Sequence, residues 1–499
     1  MEQTLTYSIH DKADSIQVQS FEVHAEAAAI CMDVEVPELC RYMGFVILQD
    51  PRGEIRLQKL LGYAAQKLGV GHSGYETSVG GVPGSIWPGT WKLTLGIFTE
   101  YVQQKLRGEA AEIHVSVTDQ PQEVTDPVGE WIWTAAGRCE MTDTAYDWEA
   151  VYAAQPGWYK GDFHTHTTLS DGKETTRSAM QKARQMGLDF YVPTEHNLMH
   201  TGWCERDLCV LPGTEITTER GHFNLFGVTK QPEHLYELIA GDPVRTQSCM
   251  QAVMQEARRR GWLISLNHPF LTIWSWRYEQ TRLDAFDCIE IINDPTYPQA
   301  AEANDRTLRF IDALWQDGHR IYGVGGSDSH NLIDELYEGA ATPSIPGDPA
   351  TYVYCNKLSP AELLRQVKQG HMCVTRFCQI HPVITMNGST YLPGDELIIE
   401  GKAQNILSYF AKITGLTEEP VVQLIVNGQA IPVALSKRAS GSYEAAITLS
   451  LSLTEWTWIR LEVRGQDGGF LGYTNPVYYG QKTPDYWTFG EITQQMGEE

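Results

Sequence analysis

The stretch GDFHTHTTLSDG, beginning at Gly161, sets His164 and His166 either side of one threonine and places Asp171 five residues further on. Residues two apart on a β-strand share a face, so imidazoles at this spacing address the same object. Imidazole suits zinc, iron and manganese, and a carboxylate can bridge two cations. The same residue types recur downstream near the ends of short apolar runs. VPTEHN supplies His196, PGTE supplies Glu215, and His222 opens HFNLFGV. NHPF supplies His268, and GSDSH supplies Asp328 and His330 at the spacing of the first pair. Six of the 15 histidines therefore fall at strand ends of one stretch of chain. Singly, each has a plainer reading. Asp171 beside Gly172 suits a turn, Asp328 a helix cap, His268 a turn before Pro269, and Glu215 an exposed carboxylate. Those readings leave the coincidence unexplained. A metal cluster explains it, with the opening stretch giving two ligands to one ion and a third to its neighbour.

Ligands so far apart in sequence need a fold that gathers strand ends. From Pro156-Gly157 onward, YKGDFHT, LDFYVPT, CVLPGTE, HFNLFGV, LISLNHP, CIEIIND and IYGVGGSD alternate with stretches of helical period. Those stretches are Ala179/Met180/Ala183/Met186, Met250/Val253/Met254/Ala257 and, more loosely, Leu308/Ile311/Trp315. Repeated strand–helix units predict parallel strands with helices outside. Seven runs in this length suit an irregular β/α barrel, whose C-terminal strand ends face one pocket. Ser359-Pro360-Ala361-Glu362 is a capping box that opens a helix running to about Gln369. The flanks read as β structure: DVEVPE, GFVILQDPRGEIRL, TWKLTLGIFTEYV and AEIHVSVT on one side, DELIIEG, VVQLIVNGQAI, SYEAAITLSLS and TWIRLEVRGQDGGFLGY on the other. Asp50-Pro51-Arg52-Gly53 and Asn427-Gly428 are turn signals between such runs. The expected organisation is an N-terminal β-rich domain over 1–155, an α/β metal-binding domain over 156–378, and a C-terminal β-sandwich-like domain over 379–499.

At 499 residues the chain is long enough for about two to four domains. Its net charge of −25 speaks against nonspecific binding to nucleic acid or to anionic membranes, both of which need basic surface. No apolar run reaches the roughly 18 residues of a membrane span, and MEQTLTYSIHDKADS lacks the basic start and apolar core of a secretory signal. The expectation is a cytoplasmic protein acting on a small molecule, with its oligomeric state unknown. The ten cysteines form no CxxC pair, which favours free buried thiols. No GxSxG elbow or obvious cysteine nucleophile is present, so water activated by metal is the economical nucleophile.

HTHTTLSDG, TEHN, PGTEITTERGHFNLFG, NHPF and GSDSH, in that order within roughly 158–378, resemble the PHP (polymerase and histidinol phosphatase) superfamily of metal-dependent hydrolases. With its β flanks the chain looks like the CehA/McbA-type branch. The resemblance implies a distorted seven-stranded barrel with two to three divalent ions, whether manganese, zinc or iron. Carried over residue by residue, one ion takes His164, His166, Glu215 and Asp328. A second takes Glu215 as bridge with His222 and His268, and a third takes Asp171, His196 and His330. Glu215, Asp171 and Asp328 are then the catalytic carboxylates. Asp171 stands where some members carry histidine, and Glu195 replaces the more usual aspartate before His196. The implied activity is hydrolysis of a small-molecule phosphate ester. A carboxyl- or carbamate-ester hydrolase with the same centre is the alternative, kept open by the aromatic loop around Trp274 and Trp276. A binding protein with structural metals is the second alternative. Asn197, Asn293 and Glu290 at strand ends, and Arg277 in TIWSWRY, are the candidates for orienting ligands or substrate, with Arg277 as an anion clamp. The glycine-rich loop at Gly80–Gly84 is a candidate lid.

Overall fold

The computed structural model describes residues 1–10, 13–62, 66–238, 243–399, 405–451 and 455–497. The first third of the chain alternates buried and exposed residues, as in Ala111–Thr118, where Ile113, Val115 and Val117 face inward. That period of two builds two four-stranded antiparallel sheets. One holds Glu2–Ile9, Ala111–Thr118, Ala29–Glu35 and Gln66–Gly71; the other holds Ile16–Val23, Gly89–Ile97, Gly44–Gln49 and Ile55–Leu60. Tyr7, Phe21, Val34, Leu48 and Trp91 belong to one apolar core shared by the two sheets.

The middle of the chain forms a mixed α/β unit in two sheets. In one, Cys209–Val210, Phe190–Pro193 and Gly157–Thr165 run parallel, followed by Ala350–Cys355 and Met372–Thr375, both antiparallel to their neighbours. The other runs Gly213–Thr218, Gly221–Phe226, Leu263–Leu266, Cys288–Asn293 and Tyr322–Gly326. Its last three strands are parallel, but Gly213–Thr218 and Gly221–Phe226 form an antiparallel hairpin. The two residues between them, Glu219 and Arg220, are too few for the crossover that parallel pairing requires. The expected closed seven-stranded barrel is therefore not formed among the described residues. Two single parallel bridges, Thr165–Ser329 and His196–Glu215, span the seams between the sheets. Both seams lie beside the candidate ligands.

The helices fall where the periodicity places them: Thr176–Gln185, Pro243–Arg260 and Ala300–Asp317. Ala179, Met180 and Ala183 of the first are buried, as are Leu308, Ile311 and Trp315 of the third. Pro360–Gln369 starts with the Ser359 side chain accepting from the Glu362 backbone N–H at 3.3 Å. Glu362 turns its carboxylate to Asn356 rather than back to Ser359, which leaves the box half made.

The last third continues the first central sheet. Phe470–Thr474 pairs with Met372–Thr375, then Thr457–Arg464 and Val421–Val426 follow. A separate antiparallel sheet, built around Gln379–Met386, Asn405–Thr414 and Tyr443–Leu451, shares a core with it through Ile380, Leu407, Leu424 and Leu461. Of the expected strand DELIIEG, Glu396 makes one bridge to Tyr478, and residues 400–401 lie outside the described residues. All ten cysteines are free. No helix among the described residues is long and apolar enough to cross a membrane.

The N-terminal strands reach the central unit directly. The Leu60 N–H donates to the Leu169 carbonyl at 3.3 Å, and Thr201 donates to the Gly81 carbonyl at 2.6 Å. The glycine-rich loop is thus a buried support under residues 167–171 and not a lid. Gly80 has φ +80, and a side chain there would collide with the Gln58 carbonyl and Leu169. Lys59, only 5 % exposed, lies at this junction, where burial lowers its ammonium to about 8 despite the pull of Asp126 and Glu195. The folded pKa lies below the unfolded value, so the unfolded chain binds more protons between pH 8 and about 10.4, and this group's contribution to stability rises with pH across that window. Lys59→Met is therefore expected to stabilise the protein by about 3 kcal/mol at pH 7.5 and to flatten the rise between pH 8 and 9.5. Urea midpoints at both pH values measure this, and a less stable variant at pH 7.5 contradicts it.

Candidate metal centre

On the strand Gly157–Thr165, Phe163 points into the core against Phe190 and Phe226, with ring centroids 5.2 and 5.0 Å away. The alternate residues Asp162 and His164 therefore face the other way. Asp162 accepts from the backbone N–H groups of His164, Ser327 and Gly347 at 3.0, 3.1 and 2.7 Å, which locks the first strand to the loop after the last. Gly326 allows that closeness: a Cβ there would lie 2.3 Å from the His164 Cβ and 2.5 Å from Glu290. His268, Asp328 and Asn197 all sit at strand ends with positive φ, at +25, +49 and +55. Such backbone is costly for residues other than glycine and persists where its surroundings over-determine it, which is common at functional sites.

The fold brings all nine sequence-predicted ligands together. Glu215 is the hub. Its carboxylate lies 3.4 Å from His164 Nε2, 3.8 Å from His166 Nε2 and 2.6 Å from His196 Nδ1. It also lies 3.1 Å from His222 Nδ1 and 3.6 Å from His268 Nε2. Asp328 lies 3.3 Å from His164 and 3.0 Å from His166, while Asp171 lies 3.5 Å from His196 and 3.2 Å from His330. Four groups have ligand atoms within 4.8 Å of one another: His166/Asp171/His196/His330, His164/His166/Glu215, His164/His268/Asp328 and His196/Glu215/His222. The grouping differs from the carried-over one: Asp328 joins His164 and His268 instead of the His164/His166/Glu215 set. His222 shares Glu215 with His196 rather than with His268, and His166 joins the Asp171 group.

The donor set fits divalent cations. His164 Nδ1 lies 2.9 Å from Glu290, which leaves Nε2 to face the carboxylates. The Nε2 atoms of His164 and His166 are buried and have no hydrogen-bond partner among the described residues. Without a cation, protons do the neutralising. Burial opposes charge on His164, but Asp328, Glu290 and Glu215 outweigh it and hold the imidazole well above its usual value. His196 behaves alike between Asp171 and Glu215, and His330 is raised to about 9 against the same burial penalty, chiefly by Asp171. His166 goes the other way, down to about 4, through burial and the neighbouring His330 and His196. Burial would raise Asp171, Glu215 and Asp328, yet the imidazoles around them hold all three well below the carboxylate range. Protons and metal ions compete for such ligands.

The supporting residues were partly legible. Glu290, a strand-end candidate, also accepts from the His268 backbone at 3.1 Å and so orients two ligands at once. Glu290→Gln is expected to weaken metal affinity by about 10–100-fold, read by competition with a chelator. Unchanged affinity contradicts that role. Asn293 donates to Asp328 at 3.3 Å and lines the cavity above the cluster, with its Oδ1 unpartnered among the described residues. Asn197 does not face a substrate. It is fully buried, and its amide exchanges hydrogen bonds with the Thr217 backbone at 2.9 and 3.0 Å, pinning His196 against Glu215. The structure leaves the Arg277 side chain exposed and does not bring it among the residues that line the cavity. Its place is set by its backbone N–H, which donates to the Arg220 carbonyl at 2.8 Å.

Sequence reasoning named Glu195 and Trp274 without their roles here, and missed Asn267 altogether. Asn267 donates to Glu215 at 2.8 Å. Glu195 accepts from Thr167, Ser170 and His200, and so fixes the loop that carries Asp171. Burial pushes Glu195 up, but His200 and the other donors bring it down to about 2. Trp274, Tyr297, Tyr337 and Asp294 line the cavity beside the cluster. No spacing rule links three aromatics on three separate loops.

No protein-family model matches the chain, and no curated protein matches it. Eight chains among solved structures match; one of them aligns over 65 % of this protein and 96 % of its own length, at 17 % identity and a TM-score of 0.34. It is described as a two-domain protein containing a predicted PHP-like metal-dependent phosphoesterase, from Bacteroides vulgatus ATCC 8482. At that score the likeness carries no weight for this chain's fold or chemistry.

Proposed function

We propose that this protein is a metal-dependent hydrolase of the PHP type that cleaves a small-molecule phosphate ester, with two to three divalent ions held by the nine ligands. The observation that carries this reading is Glu215: one buried carboxylate facing five imidazoles from four segments of the chain. Structural metal sites are usually closed four-ligand sets, often built from thiolates. Here the ligands form an open bowl beside a cavity of about 270 Å³. Divalent ions bound there supply an activated water and positive charge opposite a developing oxyanion. Glu215, His164 and Asp328 would hold ions at the buried end of the cluster, and Asp171 with His330 would do so on the side nearer solvent. Asn293, whose amide donates to Asp328, steadies that carboxylate beside the cavity. The narrower placing in the CehA/McbA-type branch rests on the style of the motifs and flanks alone.

One observation favours the carboxyl- or carbamate-ester reading. Among the described residues, none lining the cavity is lysine or arginine, so charge on a phosphate has to be met by the ions alone. A panel of 4-nitrophenyl phosphate, bis(4-nitrophenyl) phosphate and 4-nitrophenyl acetate, run with added manganese or zinc, separates the two. The phosphate reading predicts kcat/KM at least about tenfold higher on the monophosphate than on the acetate, relative to the uncatalysed rates. Turnover of the acetate alone contradicts it.

A further inference from the structure

Beside the metal ligands, the cavity is lined by Trp274, Tyr297, Tyr337 and Asp294. Trp274 and Tyr297 have ring centroids 6.1 Å apart with planes at 71°, and Tyr297 and Tyr337 lie 5.4 Å apart at 82°. A flat aromatic guest packs best in a slot between near-parallel faces. Both pairs are edge-to-face contacts, so the three rings offer no parallel-sided slot. A compact cation is indifferent to direction and is attracted by every ring face it meets.

The charge points the same way. Asp171 and Asp328 are surrounded by imidazoles, but Asp294, only 5 % exposed, is hydrogen-bonded by the hydroxyls of Thr296 (2.7 Å) and Tyr337. Neither hydroxyl brings a positive charge, no lysine or arginine is among the described lining residues, and the charged neighbours that bear on Asp294 are His330, which favours the carboxylate, and Asp328, which opposes it. The backbone at Asp294 has φ +27 and is held by bonds to Gly326 and Tyr297. Holding that turn needs only a side-chain acceptor, which asparagine supplies as well. The negative charge is therefore surplus to the turn. The volume, about 270 Å³, falls below the roughly 300–1,000 Å³ of pockets for drug-sized ligands, so the guest is small.

We infer that the part of the cavity lined by Trp274, Tyr297, Tyr337 and Asp294 binds an alkylammonium group on the alcohol portion of the substrate. As a statement about substrate class it rests on the phosphoester reading above. The overall charge of −25 adds long-range attraction for such a substrate.

The test uses the full-length protein loaded with manganese and two esters of equal shape: choline phosphate and its uncharged carbon counterpart, 3,3-dimethylbutyl phosphate. The cationic ester is expected to show kcat/KM about tenfold higher or more, mostly through KM. Asp294→Asn and Trp274→Ala are each expected to bring that ratio towards one, and Trp274→Phe to restore part of it. Ethanolamine phosphate, run in parallel, is expected to share the preference. A ratio of one with measurable turnover overturns the ammonium site and leaves the phosphoester reading standing. Binding of tetramethylammonium to the metal-free protein, measured by calorimetry, is independent of turnover and is expected to be lost in Trp274→Ala. That binding without turnover of any phosphate ester keeps the ammonium site and overturns the phosphoester reading. Neither binding nor turnover overturns both.

Discussion

Glu215→Gln is expected to lower kcat/KM by about a thousandfold or more and to leave the protein with at least one ion fewer. Glutamine keeps the shape and one acceptor oxygen but removes the charge that faces all five imidazoles. Two carboxylates, Asp171 and Asp328, would then remain against two or three dications. The amide N–H groups would face nitrogens that have to keep their lone pairs for metal. The metal-free variant suffers as well, because His164 and His196 lose a partner for their buried positive charge. Leaving a buried charge unpaired costs about 3–5 kcal/mol, so the chelated variant should also melt well below chelated wild type. Kinetics, metal content and melting on one preparation cover all three expectations. Full activity in the variant would exclude Glu215 as the hub.

Chelation of the wild-type protein is the second large effect. Activity is expected to disappear, and the melting temperature to fall by about 5–10 °C, because an ion held at 1,000 times its Kd stabilises the folded state by about 4 kcal/mol. Adding manganese or zinc back should restore both. The cluster lies at the seams of two sheets, where isolated bridges such as Thr165–Ser329 and His196–Glu215 replace a continuous ladder. Ligands from both sides of each seam share ions, so metal loss should loosen the seams before the N-terminal core. Hydrogen exchange at Glu215, Asn197 and Asp328 should then rise more than at Leu93 or Val115. A melting temperature that chelation leaves unmoved would argue that the site holds no ion tightly.

The site was more legible than the fold around it. His164/His166 and Asp328/His330 could be found because a strand's period of two is strict, and because imidazole at a strand end has few structural uses. The barrel failed for a local reason. CVLPGTE and HFNLFGV read as successive parallel strands, but with only Glu219 and Arg220 between Thr218 and Gly221 the chain has to turn straight back. Arg277 was chosen on charge and neighbourhood. The aromatic residues of its loop decide its place: Trp276 is buried against Phe223 and Phe286, which leaves the next side chain outside. Asn197 was chosen for lying beside His196, yet its amide satisfies the Thr217 backbone in a position with no access to water. Glu195 and Asn267 act through contacts 25 and 52 residues away, from Ser170 and Glu215 respectively, and nothing in their own neighbourhoods announces that. The N-terminal flank reads locally as a sandwich. Its role under the Asp171 loop, through Leu60, Gly81 and Lys59, emerges only from the tertiary contacts.

The most direct test is a metal count. Tag-free wild-type protein and Glu215→Gln, purified in parallel without chelator, would be measured by plasma mass spectrometry against protein concentration from amino-acid analysis. A cluster of nine ligands around Glu215 predicts two to three manganese, zinc or iron ions per chain in wild type and at least one fewer in the variant. A wild-type chain that carries no transition metal, even after dialysis against manganese and zinc, would contradict it.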